Sequence, residues 1–328
     1  LLAKSLQIPN AKVSRQFLDL LREYEGKKVS IDATKEGLLT IKEVDENAKA
    51  KERTNTREVI VPVPDHSITK ALTFAEAAKI DGVVFAGPKG INLAKMFADP
   101  GINYRVPDGF ILPFGFFNRY IEQIGISHLL KQMQEVELDN THTLTLIATK
   151  IRNKISENPV PKEMITEVLK ELEKLKKKTG NDQGYFFRSD TNIEDLPNFN
   201  GAGLNDSVPN VRIDAKAVDQ AIRQVWISPF LEKSLSWRGL ALNSKTASVA
   251  EPSIVVLPTV RAQSSGVIIS RGREDWKAGK GSISSNWGIG SVVEAGRPVE
   301  EVNLEGGKHI IHSFTVSDVK PVARGDNG

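Results

Sequence analysis

The chain has 328 residues, 40% of them hydrophobic and 26% charged, with 44 basic against 41 acidic side chains and a net charge of +3. A balance this near neutrality excludes a dedicated nucleic-acid binder, which would show a clear basic excess. The absence of cysteine excludes disulfides, thiol catalysis and cysteine-based zinc sites. No apolar run approaches the ~20 residues of a membrane span, so the composition suits an ordinary globular chain with room for one large domain or two.

Residues 1–50 form one compositional unit. Ser14 suits the N-cap of a helix ending before Gly26, with Phe17, Leu20, Leu21 and Tyr24 on its apolar face. Residues 28–31 and 38–44 read as two short strands around a turn-rich segment. Helix and hairpin together are too small to bury a core, so this unit is expected to dock on other parts or to complete another domain. Residues 45–58 are polar, lack apolar periodicity and read as linker. Residues 59–63 then read as a strand ended by Pro62 and Pro64.

Thr73 opens a capped helix start, and residues 83–86 read as a short apolar strand. This leads into Gly87-Pro88-Lys89-Gly90-Ile91-Asn92-Leu93-Ala94-Lys95-Met96. Strand, glycine turn, lysine and helix make a phosphate-site arrangement: backbone donors at a helix N-terminus face an anion, and the lysine adds charge. The Walker spacing of a P-loop is absent. The same residues also suit a solvated lysine at a surface helix start. Residues 124–180 read as helical, with Met164, Ile165, Val168, Leu169, Leu172 and Leu175 at helical spacing and Gly180 as a stop.

Tyr185, Phe186 and Phe187 read as the end of a buried strand, with Arg188 at its mouth. A polar turn follows from Ser189 to Asp195, and then Gly201-Ala202-Gly203. A forked guanidinium beside a small-residue loop suits a phosphate. An ordinary surface turn, with Arg188 paired to Asp190 or Glu194, fits the same residues. Residues 215–226 and 231–242 read as helices. Residues 254–260 read as a buried strand, and 264–270 and 282–286 as further strands.

The wording of these blocks resembles a known family. Arg188-Ser189-Asp190-Thr191-Asn192-Ile193-Glu194-Asp195-Leu196-Pro197 through Gly201-Ala202-Gly203-Leu204 is similar to the nucleotide-binding domain of the dikinases: phosphoenolpyruvate synthase, pyruvate phosphate dikinase and the glucan, water dikinases. Gly87-Pro88-Lys89-Gly90 resembles the family's lysine loop, and Arg105-Val106-Pro107-Asp108-Gly109-Phe110 and Leu112-Pro113-Phe114-Gly115 continue the match. Trp287-Gly288-Ile289-Gly290 resembles a later block. The resemblance covers about residues 75–315 in scattered blocks, and more loosely 8–45.

This resemblance implies an α+β fold: an ATP-grasp-like nucleotide-binding domain of two subdomains at 71–328, C-terminally incomplete. It would follow a linker at 51–70 and the tail of a swivelling phosphohistidine-type domain at 1–50. It implies ATP with Mg²⁺, and a phosphotransferase in which a histidine on a mobile domain takes the β-phosphate and passes it to pyruvate or a glucan. Lys89 and Arg188 would contact phosphates, Gly201, Ala202 and Gly203 would form a backbone cradle, and Val256, Leu257 and Thr259 would read the base. Three departures stand out. Ser291 replaces a family glutamate, with Glu294 as a substitute metal ligand; the closing Asp-x-Glu and Gln-x-Arg-Pro segments are missing; and none of the five histidines sits in a phosphohistidine motif. They keep two rivals open: a regulatory nucleotide module without phosphotransfer, and a carbohydrate-binding or scaffold domain. The expected setting is the cytoplasm, with no nucleic acid or membrane as partner and homodimerisation left open. Leu1 at the first position marks the chain as a candidate fragment.

Overall fold

The computed structural model describes residues 19, 21–33, 39–45, 60–82, 84–138, 140–194, 196, 201, 203–242, 249–270, 280–288, 300–305 and 308–313. Strands β1 (Val29–Ala33) and β2 (Leu39–Glu43) form the expected antiparallel hairpin. The helix expected from Ser14 lies outside the described residues, apart from its last turns.

The body begins with β3 (Leu72–Thr73) and α1 (Phe74–Ala77). Thr73 and Glu76 form a reciprocal capping box there, which satisfies donors that a helix start leaves open. Next come α2 (Pro88–Ala98), β4 (Phe110–Leu112), α3 (Phe114–Gln123), α4 (Ser127–Glu135), α5 (Thr141–Glu157) and α6 (Lys162–Thr179). Gly180 ends α6 at φ 67°, a conformation glycine adopts without a Cβ penalty. Strands β5 (Tyr185–Thr191) and β6 (Val208–Val211) are followed by α7 (Ala215–Ile227), α8 (Glu232–Ala241) and β7 (Pro252–Pro258). A separate antiparallel sheet holds β8 (Ser264–Ile269), β9 (Lys280–Trp287), β10 (Glu300–Glu305) and β11 (Lys308–Ser313).

The main sheet has the order β3-β4-β7-β5-β6, antiparallel throughout. Its central strand β7 is buried on both faces, which is why residues 254–257 read as an unbroken apolar run. Ile254 and Val256 face a large core against helices, whereas Val255 and Leu257 face a smaller one with Phe74, Phe85, Ala94 and Ile111. Trp226 anchors the large core: its ring lies 4.8 Å from Tyr120 and 5.4 Å from Phe117, and it is fully buried.

Two expected strands are absent among the described residues. Residues 60–63 pair with no strand, because Pro62 and Pro64 remove ladder donors and leave Ile60 and Val63 exposed. They begin a strap, residues 60–71, held across the body by side chains. Asn192 Nδ2 donates to Pro62 O (3.1 Å), His66 Nε2 meets Glu251 Oε2 (2.6 Å), and Arg119 donates to Thr69 O (3.0 Å). Gly115 lets the strap come close, since a Cβ there would overlap the His66 and Ile68 carbonyls. Residues 84–86, before Gly87, likewise pair in no sheet. The Val84 and Phe85 carbonyls accept from Asp65 N and Phe114 N, both at 2.9 Å.

Candidate nucleotide site

The first part of the polar run after Phe187 is strand, and among the described residues only 192–194 form the expected turn. Strand β5 continues through Arg188, Ser189, Asp190 and Thr191, pairing with Val255, Ile254, Ser253 and Pro252 of β7. Arg188 therefore sits mid-strand, not at the strand's mouth. Ser189 and Asp190 tolerate burial because each finds a partner. Ser189 N donates to Ser207 Oγ at 3.1 Å, and Ser253 Oγ lies 3.2 Å from both the carbonyl and the carboxylate of Asp190.

Asp190 is fully buried and occupies the N-terminus of α2. Its carboxylate accepts from Lys89 N (3.1 Å) and Gly90 N (2.9 Å). The anion facing this helix end is thus the protein's own carboxylate, and the expected free phosphate seat on these backbone donors is already filled. The glycines make the approach feasible. A Cβ at Gly87 would overlap the Asp190 carboxylate, and one at Gly90 would come within 3.0 Å of it and 3.2 Å of Val255. Burial raises the Asp190 carboxyl to about 6, despite the helix-end hydrogen bonds and the Lys89 charge that favour its ionised form.

The Lys89 side chain extends from this locked turn along β5. Its ammonium donates to Ser189 O (3.2 Å) and to the buried carboxylate of Glu194. Neither Asp190 nor Glu194 pairs with Arg188, so the surface-turn reading fails. The guanidinium instead lies 5.6 Å from the Phe186 ring centroid, two residues away on the same strand face. Among the described residues it has no carboxylate partner.

Gly201 is buried beside Glu194, and both line a cavity of about 10 Å³ with Thr191, Leu204, Asn205 and Arg238. Gly203 turns the loop at φ 78°. Ala202, Ser291 and Glu294 lie outside the described residues. Val256 is flanked by Phe110 of β4 and Phe187 of β5. Leu257 packs in the smaller core, and Thr259 N donates to Gly184 O (2.9 Å) beyond the strand's end. The structure thus brings Lys89, Asp190, Glu194 and Gly201 together, with Arg188 on the same strand and Val256 and Leu257 on the next. Thr259 lies at the far end of β5.

No group of three histidine, aspartate or glutamate side chains gathers as a metal site among the described residues. The nearby carboxylates Asp190 and Glu194 are already engaged by α2 and Lys89. They do not fit a magnesium seat.

Residues 83–318 match the family described as pyruvate phosphate dikinase, AMP/ATP-binding domain. The chain belongs to this family. The chain is 27% identical over 262 residues to a probable phosphoenolpyruvate synthase of Methanothermobacter thermautotrophicus, covering 78% of this chain and 37% of that protein. It is 27% identical over 211 residues to a rifampicin phosphotransferase of Bacillus subtilis, covering 64% and 23%. Against the phosphoenolpyruvate synthase of Escherichia coli the identity is 25% over 221 residues, covering 64% and 26%. The chain therefore spans between about a quarter and just over a third of these relatives.

Proposed function

We propose that the chain is the ATP-binding portion of a dikinase-type phosphotransferase. In this reading a histidine nitrogen on another domain bonds to the β-phosphorus of ATP. The bond from that phosphorus to the α,β-bridging oxygen breaks, AMP leaves with its electron pair, and the histidine holds a pyrophosphoryl group. Water then attacks the γ-phosphorus, the β,γ bond breaks and orthophosphate leaves, and the histidine carries the remaining β-phosphoryl group to an acceptor such as pyruvate or a glucan. Such a transfer needs charge neutralisation and in-line positioning. The observation that carries the reading is the docking of the Gly87–Gly90 turn onto β5, which sets a fixed lysine beside the strand that bears Arg188, an arginine with no carboxylate partner among the described residues. Lys89 and Arg188 would neutralise phosphates, the 201–203 loop would supply backbone donors, and Val256, Leu257 and Thr259 would border the base. Magnesium would arrive as the counter-ion of ATP. The β1–β2 hairpin would belong to the tail of the swivelling domain, and the setting would be the cytoplasm.

The test is calorimetric titration with Mg-ATP of the wild type, Lys89→Ala and Arg188→Ala. A hydrogen bond between charged groups contributes about 1.5–3 kcal/mol, so each variant should bind about 10- to 150-fold more weakly. Saturable wild-type binding that neither substitution weakens would remove these residues from the site.

A further inference from the structure

We propose that Glu194 is a positioning residue for Lys89, holding the ammonium on a fixed line for an incoming phosphate. The inference rests on the nucleotide reading above. Lysine is a flexible side chain that ordinarily loses rotamer freedom when it engages a ligand. Here it is held at both ends before any ligand arrives. Its backbone N–H is tied to Asp190, and its ammonium lies on Glu194 and Ser189 O. Glu194 is only 2% exposed, whereas the Lys89 side chain is 26% exposed. The carboxylate is therefore the fixed partner, and the lysine is the one that still faces outward. The segment that carries Glu194 also borders Gly201, so the same residue joins the lysine turn to the glycine loop.

The sign of one substitution separates this role from simple charge. Glu194→Gln removes a negative charge from the surroundings of the phosphates, and through-space electrostatics alone would then tighten ATP binding. Positioning predicts the opposite, because the lysine regains its freedom and pre-organisation is lost. The experiment titrates Mg-ATP and adenosine into wild type, Glu194→Gln, Lys89→Met and the double variant. Expected are about tenfold weaker Mg-ATP binding in Glu194→Gln, unchanged adenosine binding, and no added effect of Glu194→Gln in the Lys89→Met background. Tighter or unchanged Mg-ATP binding would overturn the proposal, as would an equal loss of adenosine or a full effect without the lysine. If Glu194→Gln does not fold, Glu194→Asp serves: it keeps the charge but draws it back by one methylene, and a wild-type Mg-ATP affinity in that variant would equally refute positioning. Failure of wild type to bind Mg-ATP would overturn the nucleotide reading itself, and this proposal with it.

Discussion

Asp190 offers a quantitative check on the core of the site. Burial raises its carboxyl from 3.8 to about 6. A raised carboxyl contributes stability that is fully present below the unfolded value and is lost as pH rises through the folded one. Between about pH 5 and about pH 7.5 these two values give a loss of about 1.4 kcal/mol. Asp190→Asn does not titrate there. Its amide carbonyl can accept one of the two helix-end N–H groups while its NH₂ faces the other, which costs about 1–3 kcal/mol at about pH 5. The variant should therefore be less stable there, and the gap to wild type should narrow by about 1.4 kcal/mol across that pH interval. Urea unfolding followed by tryptophan fluorescence, with Trp226 fully buried in the same body, measures the gap at each pH. A constant gap, or one that widens with pH, would show that helix-end hydrogen bonding outweighs burial at this carboxyl.

Three further outcomes follow from the packing. Gly115→Ala should displace the strap by driving a Cβ into the His66 and Ile68 carbonyls, at a cost of about 1–3 kcal/mol, read as faster proteolysis within residues 60–71. The Glu251 hydrogen bond raises the His66 pKa, so their pairing is complete below the ordinary histidine value and fades as pH rises through the raised one. Amide exchange in the strap should accordingly quicken at alkaline pH beyond the intrinsic rate increase, and Glu251→Gln should abolish that extra term. Trp226→Ala should cost about 3–5 kcal/mol in urea unfolding, because it empties the contact with Phe117 and Tyr120.

Much of the scaffold was legible because it rests on local chemistry. The capping box at Thr73, the stop at Gly180, the apolar stripe of α6 and the unbroken run of β7 all declare themselves within a few residues. The motif blocks pointed to Lys89 and Arg188, which the fold sets beside and on β5. The polar half of β5 was not legible. Ser189 and Asp190 look like turn residues until Lys89, Gly90, Ser207 and Ser253 are brought against them from distant parts of the chain. One signal was present: Ser253 interrupts the start of an otherwise apolar buried strand, and a hydroxyl there calls for a polar neighbour. Residues 59–63 misled for the converse reason. Their apolar side chains suggested a strand, but the two prolines had already withdrawn the donors that a ladder needs.

The strap changes the leash on whatever the N-terminal hairpin belongs to. With Pro62 and His66 fastened to the body, the effective tether ends near Ile60, well before the start of the main sheet at Leu72. From Asp45, just past the hairpin, to Ile60 there are fifteen peptide links, and these can span at most about 54 Å. Loosening the strap would add up to about 43 Å, from the twelve links between Ile60 and Leu72. Were the hairpin the tail of a swivelling domain, as proposed, a single histidine–glutamate contact would help set how far that domain reaches, and with it the local concentration at which it meets this one.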